Sequence, residues 1–214
     1  MRSRSAAALA ASALVAAFPG AAALAADPPS LRTTYPCYSS GESVLLTGSG
    51  FTPDGEVALS LSGQQLTTLD ADTDGGFSLR LQAPDALFGT TSLRFTATDR
   101  AQPRLSDHAT LRIADSDVLV TPMAGTPEQP RRIRAWGFFG SHAFYAHVKR
   151  RGARRARNIY LGTPRGPCGV LDVERRLFRR TPRQGAYVLQ FDALRRYYPN
   201  LESSVTYRLD VLGP

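Results

Sequence analysis

Two cysteines occur in the chain, Cys37 in "TTYPCYSSGE" and Cys168 in "GTPRGPCGVLD". Together with the three histidines His108, His142 and His147 they are the soft donors of a metal site. Their spacing does not make one, because a zinc centre draws on closely paired Cys or His ligands. His142 and His147 lie five positions apart and would point to opposite faces of a single strand. The segment "DADTDGG" places Asp70, Asp72 and Asp74 like the first half of a calcium loop, with Gly75 in its turn position. Its twelfth position is Leu81, where a bidentate Glu is required. Asp-Gly between alternating segments is instead a hairpin-turn signal. No metal and no cofactor is expected. Nor does a nucleophile elbow appear: "SSG" at Ser39–Gly41 lacks the Gly-x-Ser-x-Gly frame. "GSG" at Gly48–Gly50 precedes no helix that could cradle phosphate. The sequence is read as non-catalytic.

The strongest chemical lead is cationic. "KRRGARRAR" carries Lys149, Arg150, Arg151, Arg154, Arg155 and Arg157. Gly152 is expected to turn the chain, with the cations lining both legs of a hairpin. Adjacent arginines recur downstream at Arg175-Arg176, Arg179-Arg180 and Arg195-Arg196. Neighbours in a strand face opposite ways, so they cannot all line one groove. The functional reading is binding of an anionic polymer; the alternative is a solvated face in an Arg-rich protein. Phe144, Tyr145, Tyr197 and Tyr198 add aromatic surface that either packs a core or holds a sugar or peptide.

The elements that must carry these groups are strands. "EVALSLSG" alternates through Val57, Leu59 and Leu61, "FSLRLQAP" through Phe77, Leu79 and Leu81, and "TSLRFTATD" through Leu93, Phe95 and Ala97. With "LRTTYPC", "SVLLTGSGF", "QLTTLD" and "HATLRIAD" this makes about seven short strands. A second set follows: "DVLVTP", "RRIRAWGF", "AFYAHVKR", "RARNIYLG", "CGVLDVERRLF", "GAYVLQFD" and "SSVTYRLDVL". Gly-Phe closes the second strand of each set, at Gly50-Phe51 and Gly137-Phe138, and Leu-x-Phe recurs at Leu93–Phe95 and Leu189–Phe191. The expected fold is all-β, two tandem immunoglobulin-like sandwiches over residues 31–114 and 115–214.

Charge divides at the same place. Residues 27–114 hold 6 Arg against 10 Asp and Glu, and residues 115–214 hold 18 Lys and Arg against 8 Asp and Glu. The first unit is acidic and the second basic. Arg2 and Arg4 precede an apolar run from Ala6 to Phe18, and small residues at Ala23–Ala25 suit a peptidase. This predicts a signal peptide over residues 1–25, with a short flexible N-terminus at 26–30. No later stretch is long and apolar enough for a transmembrane helix. A secreted or extracellular location follows, with cell-wall association as one form of it.

"LLTGSGFTPDGEVALSLSG", "DADTDGGFSLRL" and "TSLRFTATD" resemble the bacterial immunoglobulin-like domains of the IPT/TIG type, and the unit from Val118 resembles a basic companion domain of secreted, actinobacterial proteins. The second unit departs from the pattern at Trp136, which stands where the first has Ser49, and around Thr163–Gly169. The resemblance implies a binding or structural module and names no ligand. If both units follow immunoglobulin strand order, the first strand of unit one ends near Cys37 at the end that leads into unit two. The loop carrying Cys168 then returns to that same boundary. An even cysteine count in an exported chain favours a bond between them. Two separate thiols, or a disulfide to another protein, remain the alternatives. Expected partners are an anionic cell-wall polymer or another surface protein, and nucleic acid is not expected. A secreted enzyme or inhibitor working from loops of the second unit is the competing reading.

Overall fold

The computed structural model describes residues 27–86, 88–123 and 126–211. The expected signal peptide, residues 1–25, lies outside them. The chain forms β1 (Ser30–Thr33), β2 (Ser43–Ser49), β3 (Glu56–Leu61), β4 (Gln64–Asp70), β5 (Phe77–Gln82), β6 (Thr91–Asp99) and β7 (Ser106–Ile113). The second set is β8 (Asp117–Thr121), β9 (Arg131–Trp136), β10 (Phe144–Arg150), β11 (Arg157–Gly162), β12 (Leu171–Arg175), β13 (Gly185–Asp192) and β14 (Val205–Val211). β1 thus begins inside the 26–30 stretch.

Each set makes a three-stranded and a four-stranded antiparallel sheet. The first orders are β1-β2-β5 and β4-β3-β6-β7; the second are β12-β9-β8 and β11-β10-β13-β14. Strand for strand the two sets have one topology. Two tandem immunoglobulin-like sandwiches result, as the alternation predicts. Each has its own apolar core. Val57, Leu59, Phe95, Ala97 and Leu111 belong to the first, and Ile133, Phe144, Ala146, Leu189 and Phe191 to the second.

The repeated Gly-Phe is one device used twice. Gly50 and Gly137 have φ of 77° and 78°, a region that L side chains rarely adopt. A Cβ on Gly50 would sit 2.9 Å from the Pro28 carbonyl oxygen, and one on Gly137 would sit 2.4 Å from that of Asp115. Pro28 and Asp115 each lie two residues ahead of the first strand of their sandwich. The glycine lets that entering chain pass close by, and the following Phe51 or Phe138 is buried in the core.

"DTDGG" corrects a detail. The turn forms, with Gly75 at φ 73° and the Asp72 carboxylate accepting from the amides of Asp74 and Gly76 at 2.9 and 2.7 Å. It is not a hairpin, since β4 and β5 lie in different sheets. The chain crosses from one layer to the other there, and Asp72 caps the crossing.

Cys37 and Cys168 form a disulfide across a sequence separation of 131, with Cα atoms 5.4 Å apart. The bond lies with buried Ala114 and Trp136 in a small apolar cluster between the two cores. Phe88 of the first unit meets the Trp136 ring edge-on at 4.7 Å between centroids. The departure at Trp136 therefore belongs to the joint. Polar bonds close it as well. Asp115 accepts from the Ser40 amide at 2.8 Å and the Ser40 hydroxyl at 2.5 Å, and the Gly137 amide donates to the Cys168 carbonyl at 2.9 Å. The loop after β11 reaches this cluster through a two-way backbone bridge between Arg165 and Val170 at 2.8 Å.

Candidate cationic edge of the second sandwich

The outer face of the β11-β10-β13-β14 sheet is built by the side chains that do not enter the core. Phe144, Ala146 and Val148 of β10 point inward, so Tyr145, His147 and Lys149 point out. On β13, Tyr187, Leu189 and Phe191 point inward and leave Gln190 and Asp192 outside. An outward row is ordinarily wet. Here His147 and Asp192 are both 0% exposed, because the loop after β13 folds back across the sheet. The Tyr197 ring stands edge-on to the His147 ring at 6.0 Å, and the Tyr198 carbonyl accepts from Gln190 Nε2 at 3.0 Å.

Beneath that loop the polar groups satisfy one another. His147 Nε2 lies 3.2 Å from Asp192 Oδ1, and its Nδ1 lies 2.8 Å from Asn158 Oδ1 on β11. Asp192 accepts, and Asn158 presents its Oδ1, so the arrangement favours the form of His147 that carries a proton on both ring nitrogens. Asp192 also accepts from the Leu194 amide at 2.7 Å and from Gln190 Nε2 at 2.7 Å. Burial pushes the His147 pKa down, but the bonds to Asp192 and Asn158 and the Asp192 charge outweigh it and hold it above the ordinary value. For Asp192 burial pushes upward, and the same hydrogen bonds bring the pKa below the usual carboxylate value.

The six cations of "KRRGARRAR" separate. Lys149 sits over the Tyr197 ring with Nζ 4.8 Å from its centroid. Gly152 turns the chain as expected, at φ 79°. β11 begins only at Arg157, which leaves Arg154 and Arg155 in the connecting loop rather than on a strand leg. Arg151 reaches the β13–β14 side, in a depression shared with Arg208 and Asp210. Arg150 ends β10 and lies near Gly185. Arg157 faces the opposite way, toward the open edge between β11 and the segment after β12. There its guanidinium donates to the Leu177 carbonyl at 3.3 Å. The structure does not gather the six into one site.

It gathers a different set. Arg157, Arg175, Arg176 and Arg179 line an open depression of about 510 Å³ with Asn158 and Tyr160. A second depression of about 690 Å³ is lined by Asn158, Leu194, Arg195, Arg196 and Tyr198. Asn158 is common to both, so together they follow the β11 edge. Elsewhere cations meet carboxylates: Arg132 holds Asp172 at 2.5 Å and Arg100 holds Glu56 at 2.7 Å. Among the described residues no carboxylate lies within 4.0 Å of the six edge arginines. Burial, and then the positive charge of Arg179, lower the Arg157 pKa. The edge is a concentration of unanswered positive charge.

The aromatic residues divide between packed and exposed positions. Phe144 is core, against Phe138 and Phe191. Tyr145 and Tyr197 pack the outer face around His147. Tyr198 is 50% exposed, as is Tyr160 at 53%, a residue the sequence did not single out. Among the described residues no group of three or more His, Cys, Asp or Glu side chains is placed to hold a metal ion. None of their helices is long and apolar enough to cross a membrane.

No protein-family model and no curated protein matches the chain. Among solved structures, the human OSCAR ligand-binding domain is similar at 16% identity and a TM-score of 0.36, covering 87% of this chain and 97% of that one. Salmonella alpha-2-macroglobulin, as its Y1175G mutant, is similar at 16% identity and a TM-score of 0.31 over 86% of this chain. The chain spans only 14% of that protein. Scores at this level bear on neither ligand nor activity.

Proposed function

We propose that the chain is a secreted, non-catalytic binding module of the bacterial cell surface, and that its second sandwich adheres to anionic polymers through the β11 edge. The carrying observation is the cluster of Arg157, Arg175, Arg176 and Arg179, which among the described residues have no carboxylate partner. Arginines kept close together at an exposed edge are electrostatically costly, and a polyanion relieves that cost. The disulfide supports a location outside the reducing cytoplasm. On this reading the first unit is an IPT/TIG-type domain, residues 31–114 and 115–214 are the two modules, and residues 1–25 direct export. The natural ligand is a cell-wall polymer rather than nucleic acid.

Pull-down on isolated bacterial cell wall tests this. Binding is expected at about 20 mM salt and is expected to be lost by about 0.5 M, where charges a few ångströms apart are screened. Replacing Arg157, Arg175 and Arg179 with Gln is expected to weaken it at least about tenfold, the effect of roughly 1.4 kcal/mol. A control with Arg80, Arg94 and Arg104 of the first unit changed to Gln should bind as the parent does. No binding at low salt, or equal losses in the two triple variants, overturns the proposal.

A further inference from the structure

The edge is not only cationic. Tyr160 and Tyr198 stand half exposed among the edge arginines, one in each depression. The Tyr160 ring is held on one side by Tyr145 at 5.5 Å, and its hydroxyl lies 3.2 Å from that of Thr163. Tyr198 is tethered by its carbonyl to Gln190. The Tyr160 ring therefore keeps its place without a ligand, and the backbone that carries Tyr198 is fixed. Between them stands Asn158, whose Oδ1 lies 2.8 Å from His147 Nδ1. That contact leaves its amide nitrogen with two donors on a side chain that lines both depressions. A bare polyphosphate uses only the guanidinia. The full set is charge, planar apolar faces and a fixed amide donor. It matches a chain of pyranose rings that carries anionic groups: ring C–H faces lie on the tyrosines, a hydroxyl meets Asn158, and acidic groups meet arginines on either side.

Resting on the anionic-polymer reading above, we infer that the β11 edge takes an acidic polysaccharide, with its sugar rings stacked on Tyr160 and Tyr198. Titration of the exported protein with three probes of matched charge tests this: an oligogalacturonate, inorganic polyphosphate and a single-stranded DNA oligonucleotide. The parent is expected to bind the oligogalacturonate tightest. Tyr160→Ala with Tyr198→Ala is expected to weaken that binding about tenfold, with two aromatic contacts of roughly 0.5–1.5 kcal/mol each removed. Polyphosphate binding should be unchanged. Arg175→Gln with Arg179→Gln should weaken all three probes. Tyr160→Phe with Tyr198→Phe should retain the glycan, and thermal melting checks that each variant is folded. If the arginine variant loses polyphosphate while the tyrosine variant keeps the glycan, the glycan inference fails and the anionic-polymer reading stands. If the arginine variant loses nothing, both fail. DNA bound more tightly than the glycan also overturns the inference.

Discussion

Cys37→Ser with Cys168→Ser is expected to lower the thermal midpoint of both sandwiches, not merely to loosen the joint between them. The bond closes a loop with a sequence separation of 131, worth about 5 kcal/mol in the chain-entropy account when everything unfolds. The geometry of the joint changes how that is shared. Cys37 is packed with Ala114. If the second sandwich unfolds alone, the folded first one keeps those residues together, and the closed loop is roughly 50 residues, worth about 4 kcal/mol. If the first unfolds alone, Cys168 stays bonded to Gly137, and the loop of roughly 80 residues is worth about 4–5 kcal/mol. Each unit is stapled by the other. At about 4–8 °C per kcal/mol for a domain of this size, melts followed by circular dichroism should drop by roughly 15–40 °C. Reductant should do the same to the parent and nothing further to the variant. A midpoint unchanged by both treatments would show that the bond carries no such load.

Asp192→Ala is the second large effect. It leaves His147 buried beside Asn158 without the carboxylate that stabilises its charged form, and breaking a buried pair from one side costs about 3–5 kcal/mol. His147→Ala leaves the Asp192 carboxylate with only Gln190 and the Leu194 amide and should cost a similar amount. His147→Leu with Asp192→Leu removes both charges and should cost clearly less than the two single changes summed. The pH dependence has a definite sign. The folded pKa of His147 is raised above 6.5, so its contribution is complete below 6.5 and fades as pH rises through the raised value. The folded pKa of Asp192 is lowered below 3.8, so its contribution is present above 3.8 and fades as pH falls through the lowered value. Urea midpoints of the second sandwich should therefore decline on the alkaline side of 6.5 in the parent. In His147→Gln that decline should vanish; its persistence would refute the pairing.

The strands were legible because their alternation is strong. Val57 and Leu59, or Ile133 and Ala135, tell a core face from a wet one without further help. The disulfide was legible because strand order alone brings two distant loops to one end. His147 was not, and the reason is physical. On β10 and β13 the outward positions His147, Gln190 and Asp192 read as solvent-facing, and nothing in the alternation reports that a loop lies over them. The available signal was loop length. Unit one joins β6 to β7 with six residues, 100–105; there Asp99 caps the turn through the Ala101 and Gln102 amides at 2.9 and 2.8 Å and ties it to the Thr52 amide at 2.8 Å. Unit two uses residues 193–204 and fills them with "ALRRYYPN", enough to cross a sheet face. The cations of one run are dispersed, and those of others gathered, for a related reason. The run at Lys149–Arg157 is dense in sequence, but a strand followed by a turn scatters it. Arg175, Arg176, Arg179, Arg195 and Arg196 come together only because the edges of two sheets and a returning loop meet beside Asn158.

The cross-link also decides how the chain carries tension. Cys37 comes just after the first strand and Cys168 just before the twelfth. A pull applied upstream of one and downstream of the other runs through the sulfur atoms and bypasses β2 to β11 altogether. Only β1 and β12 to β14 lie in the path. The shielded stretch spans a sequence separation of 131 and would otherwise yield roughly 450 Å of slack at full extension. While the bond stands, a molecule moored through its two ends is a short, stiff tether, and cleaving one bond turns it into a long, compliant one.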